Sequence, residues 1–246
     1  MSGIVIFGAT SAIAMETARL FAAEGEELCL VGRSPAKLEA LRQDLSLRGA
    51  RRVSVEQADL ADCTAHEELL HRVEQALPGY DTVLVAYGSL GSQPACEERF
   101  AAAERELRTN FTSVVSLLTP LANRFAAERR GVIAVIGSVA GDRGRRSNYV
   151  YGAAKGGLAI FLQGLRNRLH SQGVRVVTIK PGFIDTPMTA GLPKGPLFAS
   201  AGAAGRAIHR AIRRRRDVVY VPWFWRWIMA VITHVPEALF KRQKKI

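Results

Sequence analysis

Short apolar runs alternate with amphipathic segments along most of the chain, and this alternation limits the possible folds more than any other feature. The runs are mostly apolar at consecutive positions, as expected of parallel strands covered by helices on both faces. Repeated strand–helix–strand order predicts an α/β fold with a doubly wound parallel sheet of about seven strands. The predicted strands are Ile4–Phe7, Leu28–Val31, Val53–Glu56, Thr82–Tyr87, Gly131–Gly137, Val174–Ile179 and Val218–Val221.

The sequence predicts one domain followed by a short appendage. Its 246 residues suffice for one well-buried core, and no internal repeat or low-complexity linker divides them. We predict a domain over 1–221, with a substrate-side lid at 187–205, and a C-terminal tail at 222–246. The first residues enter a strand without a signal-peptide pattern, and no apolar run approaches the ~20 residues of a membrane-spanning helix. The three cysteines are widely spaced, which predicts reduced thiols and a cytoplasmic location.

The stretch 8–14, GATSAIA, follows the first predicted strand and opens the first predicted helix. A tight turn there aims backbone N–H groups and the positive end of the helix at a pyrophosphate. The pattern alone is weak because Ala12 and Ala14 stand where a dinucleotide turn usually has glycine, so a simple strand–helix turn is the alternative. The predicted cofactor contacts in this stretch are Gly8, Thr10, Ser11, Ala12 and Ile13.

The end of the second predicted strand indicates which dinucleotide is bound. Gly32 and Arg33 occupy the position at which such sites select the adenosine ribose. A carboxylate there would bind the 2′-hydroxyl of NAD, whereas Arg33 can pair with a 2′-phosphate. We therefore predict NADP(H) rather than NAD(H), with a solvated arginine at a loop start as the alternative. Asp59 and Leu60, after the third predicted strand, are predicted to reach the adenine edge.

A candidate proton-transfer site lies in the second half of the domain. Tyr151 and Lys155 are one helical turn apart, and the ammonium is expected to lower the pKa of the phenol towards neutrality. Ser138 ends the fifth predicted strand, where open parallel sheets bind ligands, so it can hydrogen-bond the carbonyl that Tyr151 protonates. Asn110, in the preceding helix, can hold a water near Lys155. Taken singly these are a surface pair and a capping serine; their joint order favours a catalytic site.

Together these residues resemble the short-chain dehydrogenases/reductases over essentially the whole chain. The resemblance implies a Rossmann fold, a catalytic tetrad and hydride transfer between a nicotinamide and a ketone or alcohol carbon. It also implies that Lys155 contacts the nicotinamide ribose and that Ile184 and Thr186 lie near the carboxamide. The positions that carry the resemblance are Gly8, Asp59, Gly88, Asn110, Ser138, Tyr151, Lys155, Pro181, Gly182 and Thr186. The implied cofactor contacts beyond the first turn are Arg33, Asp59, Leu60, Ala86, Tyr87, Gly88, Tyr151, Lys155, Pro181, Gly182, Ile184 and Thr186.

Three further features narrow the resemblance to one branch of this family. They are the strand end Ala86–Gly88, where the family has Asn-Ala-Gly, the arginine-rich loop 141–155, and the segment 221–242. Together they look like the branch that reduces a decaprenylphosphoryl 2-keto-pentose to the arabinose, working with a flavin oxidase. This likeness makes Arg143, Arg145 and Arg146 candidates to bind a substrate phosphate. A solvated basic loop is the alternative.

The tail combines all three tryptophans of the chain with a concentrated positive charge. From Arg206 onwards there are 11 basic and 2 acidic residues, a net of +9 out of the total formal charge of +12. We therefore predict an anionic partner. A helix over 223–235 would be about 20 Å long, shorter than the ~30 Å hydrocarbon core, and suits the plane of a membrane interface. Its predicted apolar side consists of Phe224, Trp227, Ile228, Val231 and Val235.

Other partners of the tail are possible on the same observations. The helix can instead pack against the domain's own sheet or a second subunit, since aromatic clusters are common at subunit interfaces. Nucleic-acid binding is disfavoured because no recognised binding module accompanies the charge. A second short helix is predicted to start at Pro236.

The sequence therefore predicts an NADPH-dependent ketoreductase of a polyprenyl-phosphate-linked keto-sugar, with Tyr151 as general acid and no metal. We expect a homo-oligomer associated with the inner face of the cell membrane. Two other hypotheses remain: an oxidoreductase of another ketone whose tail serves assembly, and a non-enzymatic NADP-binding regulator.

Overall fold

Seven parallel strands form the central sheet of the computed structural model, which describes residues 3–243. The strands in chain order are β1 (Gly3–Phe7), β2 (Glu27–Gly32), β3 (Arg52–Gln57), β4 (Thr82–Val85), β5 (Val132–Ile136), β6 (Arg175–Pro181), β7 (Ile184–Asp185), β8 (Ala199–Ser200) and β9 (Val218–Val221). The sheet has the order β3-β2-β1-β4-β5-β6-β9, and β7 pairs with β8 separately. Every neighbouring pair is parallel. All seven predicted strands are confirmed, and their ends differ from the prediction by two residues at most.

Helices cover both faces of this sheet. They are α1 (Ala12–Ala23), α2 (Pro35–Leu47), α3 (His66–Ala76), α4 (Gln93–Glu98), α5 (Phe100–Leu107), α6 (Ser113–Glu128), α7 (Tyr149–His170), α8 (Ala201–Arg213), α9 (Trp225–His234) and α10 (Glu237–Phe240). Successive residues of β1 alternate between two cores: Ile4 packs with α1, α2 and α8, whereas Val5 packs with α3, α6 and α7. Burial on both faces is the reason why the strand is apolar at every position.

The carboxyl ends of β1, β4, β5 and β6 lie side by side at one edge of the sheet. The chain passes to β2 on one side of β1 and returns through β4 on the other, so the strand order reverses there. Open parallel sheets bind ligands in the crevice at such a reversal. The edge carries Gly8 after β1, Gly88 after β4, Ser138 after β5 and Pro181 at the end of β6.

The tail packs on the domain through one face of α9. Trp225 and Met229 are 3% and 1% exposed, and with Val139 they form a third, small apolar cluster. The opposite face carries Trp227 and Val231, which are 63% and 70% exposed. Both residues belong to the predicted apolar side and lie outwards, whereas Phe224, Ile228 and Val235 of the same predicted side are half-buried. The periodicity predicted one apolar side, whereas the structure buries most deeply a different pair, Trp225 and Met229, because these two residues contact the domain.

Arg143 joins the tail to the arginine-rich loop. Its guanidinium donates hydrogen bonds to the carbonyl oxygens of Thr233 and Val235, at 2.9 and 2.8 Å. It also pairs with Glu237 at 2.8 Å and lies 4.1 Å from the ring centre of Phe240. The helix predicted over 223–235 and a second helix after Pro236 are both present, with shorter bounds. Lys244, Lys245 and Ile246 of the predicted tail lie outside the described residues, and no helix within 3–243 is long and apolar enough to cross a membrane.

Trp225→Ala should lower the free energy of unfolding by about 3–5 kcal/mol, because it removes a large buried side chain and leaves a cavity. Trp227→Ala is the matched control, since its side chain is 63% exposed and its loss should change stability by less than ~0.5 kcal/mol. Urea denaturation followed by far-ultraviolet circular dichroism measures both. Equal changes in the free energy of unfolding for the two substitutions would contradict the described packing of α9 on the domain.

Candidate functional site

The turn after β1 packs closely against the residues that follow β4. Gly8 has φ +81°, and a Cβ there would lie 2.7 Å from the backbone nitrogen of Tyr87, so only glycine fits. The N–H groups of Gly8 and Ala9 donate to the Val31 carbonyl at 2.9 and 3.0 Å. Ser11 then caps α1 by accepting from the N–H of Ala14 at 3.2 Å.

The start of α1 at Ala12 explains how this turn can have alanine instead of glycine at positions 12 and 14. Since α1 begins at Ala12, the backbone is already helical at 12 and 14, where alanine is favoured. The N–H groups of Ala12 and Ile13 lie in the first helical turn and have no intrahelical acceptor. They are therefore free to donate to an anionic group such as a pyrophosphate. The turn fits a dinucleotide despite its alanines.

The residues predicted to contact the adenosine differ in their availability. Arg33 is exposed after the end of β2, and within 3–243 its guanidinium has no carboxylate at ion-pair distance. Asp59 uses Oδ1 to accept from the N–H of Ala61 at 3.1 Å. Leu60 is 4% exposed and belongs to the core, so only its backbone can face a ligand.

Asn110 and Lys155 converge on the backbone at Gly88. A Cβ at Gly88 would lie 2.6 Å from Oδ1 of Asn110 and 3.4 Å from Nζ of Lys155. Asn110 is fully buried and Lys155 is 4% exposed. The predicted strand end 86–88 thus ends in glycine because two polar side chains occupy the space that a side chain would need.

A π-helical turn over Arg108–Thr112 positions Asn110 between α5 and α6. The sequence predicted an ordinary helix here. The amide of Asn110 donates to the carbonyl oxygens of Ser89 and Glu106, at 3.0 and 3.1 Å. Its Oδ1 accepts from the N–H of Ser89 at 3.3 Å. Single π-turns inside helices are frequent at functional sites, because they displace one residue from the regular hydrogen-bond ladder.

Tyr151 lies in the first turns of α7, next to the end of β5. It hydrogen-bonds with Ser138, and Ser138 also accepts from the N–H of Ala140 at 3.1 Å. Burial raises the pKa of Tyr151 to about 12, against the opposing effect of the Ser138 hydrogen bond. The expected lowering by Lys155 is not found; Nζ of Lys155 lies 5.8 Å from the centre of the phenol ring. Tyr151 is therefore a protonated phenol at neutral pH.

Lys155 lies one turn further along α7, on the same face. Its Nζ donates to the carbonyl oxygen of Ile136 at 3.2 Å. Burial lowers the pKa of Lys155 to about 8, and the negative charge of Glu106 acts in the opposite direction. At neutral pH the group is an ammonium, close to the pH at which it loses its proton.

The loop after β6 contacts the tail. A Cβ at Gly182 would lie 2.0 Å from Nε1 of Trp225, so the glycine is required by close packing of the indole. The ring of Phe183 lies 5.2 Å from those of Trp225 and Phe198. Phe198 belongs to the predicted lid, whose residues from Ala201 onwards form the start of α8. Sequence reasoning did not place Trp225 at the site, although an aromatic cluster this close to β9 was the available signal.

The other positions predicted from this loop lie beside Gly182. Pro181 ends β6, and Ile184, in β7, is 3% exposed. Thr186 precedes a turn in which Thr189 donates to the Ile184 carbonyl at 2.6 Å. These residues follow the end of β6 at the ligand-binding edge of the sheet.

The three predicted phosphate-binding arginines have different surroundings. Arg143 is committed to the tail, as described above. Arg145 is half-buried, donates to the sulfur of Met229 at 3.4 Å, and has no partner for Nε within the described residues. Arg146 is exposed. A cavity of about 260 Å³ separates this loop from α10; its lining is Gly144, Arg145, Arg146, Tyr149, Glu237, Phe240, Lys241 and Gln243.

Comparison with known proteins agrees with this geometry. The sequence pattern of the short chain dehydrogenase family matches residues 2–196. An uncharacterized oxidoreductase of Mycobacterium tuberculosis is 36% identical over 242 residues, which cover 98% of this chain and 97% of the relative. The 3-oxoacyl-[acyl-carrier-protein] reductase of Chlamydia trachomatis is 30% identical over 191 residues, 76% of each chain. A short-chain dehydrogenase from Sphingobium yanoikuyae, solved in complex with NADPH, is 26% identical, with a TM-score of 0.82 over 97% of this chain and 98% of that one.

The burial of Lys155 predicts an alkaline limit to activity. Since its pKa falls from 10.5 to about 8, the ammonium is intact at lower pH and is lost as the pH rises through 8. We expect kcat/KM for nicotinamide-dependent oxidoreduction to fall about tenfold per pH unit above that midpoint. Steady-state rates measured from about pH 6 to 10 locate this fall, which is the alkaline limb of the pH profile. The rate of the Tyr151→Phe variant gives the background to be subtracted. A midpoint near 10 would contradict the burial of this ammonium.

Proposed function

Because this chain belongs to the short-chain dehydrogenase/reductase family, we propose that it is an NADPH-dependent ketoreductase. Its membership makes it an oxidoreductase that binds a nicotinamide cofactor. The observation that supports the reductive direction is the protonated, buried phenol of Tyr151 beside Ser138. Reduction of a carbonyl consumes one proton together with the hydride, and a phenol that keeps its proton at neutral pH can supply it.

The chemistry assigned to each side chain follows from its position. Bound NADPH supplies the hydride. Ser138 and Tyr151 hold the substrate carbonyl oxygen, and the Tyr151 proton moves to that oxygen as negative charge develops there. The Lys155 ammonium, one turn away, is the group that the family resemblance places against the nicotinamide ribose. Asn110 and Gly88 keep Lys155 in place through close packing.

Two features favour NADPH over NADH. Arg33 extends from the end of β2 without an ion-pair partner among residues 3–243. A guanidinium there suits a 2′-phosphate, and a carboxylate that would bind the 2′-hydroxyl of NAD is lacking at this position. The relative from Sphingobium yanoikuyae was solved with NADPH.

The proposed substrate is a ketone that carries a phosphate, such as a polyprenyl-phosphate-linked keto-sugar. The cavity between the arginine-rich loop and α10 is lined by the cations Arg145, Arg146 and Lys241. This loop lies between Ser138 and Tyr151 in the chain, so the cations are carried by the segment that joins the two proposed catalytic groups. Arg143 has no part in this proposal because backbone carbonyls of the tail already occupy its guanidinium. The resemblance to the keto-pentose reductase branch adds support, whereas a different ketone is the second candidate.

Replacing Arg145 and Arg146 together by alanine should raise KM about tenfold to a hundredfold for a lipid-phosphate keto-sugar, because charge-assisted hydrogen bonds are lost. KM for a short neutral ketone should not change. Rates of NADPH and NADH oxidation against both substrates measure the effect and the cofactor preference. The matched control is Arg129→Ala with Arg130→Ala, two exposed arginines before β5 at the opposite edge of the sheet. Equal KM changes for both substrates, or activity on neutral ketones only, would favour the second candidate.

The exposed face of α9 is proposed to lie on an anionic membrane. Trp223, Trp227 and Val231 are 73%, 63% and 70% exposed. Trp227 and Val231 lie on one side of the helix, and Trp223 lies in the turn just before it. Trp225 and Arg143 fix the other side to the domain, so the aromatic stripe points outwards. Lys241 and Arg242, both exposed in the same tail, add positive charge. Such a face suits the headgroup region, where a polyprenyl-linked substrate would be presented.

Trp223→Ala combined with Trp227→Ala should reduce co-sedimentation with phosphatidylglycerol vesicles about tenfold or more, since the buried apolar area is lost. Leu47→Ala, at a 90% exposed apolar position on α2, is the control. Binding should also weaken as salt increases. If the double variant binds vesicles normally but loses self-association in analytical ultracentrifugation, the stripe is a subunit interface instead.

A further inference from the structure

Glu106 is a buried carboxylate directly behind the candidate site. It lies in the last turn of α5, four residues before Asn110, and is 8% exposed. Within 3–243 no cation lies at ion-pair distance from it. One oxygen accepts from the hydroxyl of Ser89 at 2.8 Å, and the other accepts from the amide of Asn110 at 3.1 Å. An unpaired buried carboxylate is costly, so its presence calls for an explanation.

The loop after β4 is shaped around this carboxylate. Gly91 has φ +60°, and a Cβ there would lie 2.5 Å from Cδ of Glu106. Ser89 contacts Glu106 through its hydroxyl and Asn110 through its N–H. The same loop begins at Gly88, against which Asn110 and Lys155 pack. The Glu106 side chain therefore contacts both the loop after β4 and the π-helical turn that carries Asn110.

We propose that Glu106 is a positioning residue of the reductase, which fixes the amide of Asn110 and places a negative charge behind the point where Asn110 and Lys155 pack on Gly88. An apolar side chain could fill the same space, but it could neither accept the two hydrogen bonds nor oppose the positive charge. The role is indirect, because Glu106 acts through Asn110 and Lys155 rather than on the substrate. Its spacing from Asn110 places both on one helical face, which is the signal available in the sequence.

The groups that face Glu106 come from three elements. The helix α7, which carries Lys155 and Tyr151, packs against α5; Ser89 and Gly91 contact Glu106 from the loop after β4, and Asn110 contacts it from the π-helical turn. Its charge raises the pKa of Lys155 against the effect of burial, and it also raises the pKa of Tyr151. Both effects favour the same state, a charged lysine beside a protonated phenol. That is the state from which reduction starts in the proposed mechanism.

Glu106→Gln removes the charge with little change of shape and should move the titration of Lys155 to lower pH by about one unit. NMR titration of the Lys155 side chain in the full-length protein measures this directly. The alkaline limb of kcat/KM should move by the same amount, whereas KM for NADPH should change less. Glu106→Asp keeps the charge, so its limb should stay near the wild-type position even where the rate falls. Glu104→Gln, at an exposed position on α5 that pairs with Arg108 at 3.5 Å, is the matched control.

The titration separates this inference from the proposed function on which it rests, because it requires no substrate. A Lys155 midpoint that is identical in wild type, Glu106→Gln and Glu104→Gln would overturn the proposal and leave Glu106 a purely structural residue. So would a limb that moves equally in Glu106→Asp and Glu106→Gln. If Glu106→Gln does not fold, Glu106→Ala combined with Ser89→Ala, which removes the charge together with the hydroxyl that donates to it, provides the test: a Lys155 midpoint about one unit lower than in wild type supports the proposal, and an unchanged midpoint overturns it.

Discussion

Burial of the Lys155 ammonium is the constraint on which the candidate site depends. A buried charge is tolerated only where hydrogen bonds and opposite charge replace water. The carbonyl oxygen of Ile136, at the end of β5, accepts a hydrogen bond from the ammonium, and Glu106 of α5 supplies the opposite charge. Close approach is possible because Gly88 leaves space for Asn110 and Lys155. The end of β5, the glycine after β4 and the π-helical turn are far apart in the chain, but all three surround the Lys155 ammonium.

The tail is structurally part of this site rather than an independent appendage. Trp225 packs on Gly182, and Phe183 links Trp225 to Phe198 in the segment before α8. Arg143 closes the arrangement by binding carbonyl groups at the end of α9. The loop proposed to hold the nicotinamide, the segment predicted as a lid and the tail therefore share one aromatic cluster. Any partner that docks on the outer face of α9 acts on a helix whose inner face touches the loop after β6.

Most of the fold could be predicted from the sequence because its signals are local. Strands buried on both faces need apolar runs, and each of the seven runs became a strand of the sheet. The order of the tetrad could also be predicted, since parallel strands bring their carboxyl ends to one edge. Family membership follows from the same positions. Departures such as Ala12 are explained once the helix is known to begin there.

By itself the sequence determined the sheet, the nucleotide turn and the succession of Asn110, Ser138, Tyr151 and Lys155, because these follow from residue types and their spacing. Only the tertiary structure decided which face of α9 is buried, that Arg143 binds the tail, and that Glu106 is buried against Ser89 and Asn110. It also decided that the pKa of Tyr151 rises rather than falls. Burial and charge at these positions depend on contacts between segments distant in the chain, and such contacts exist only in the folded molecule.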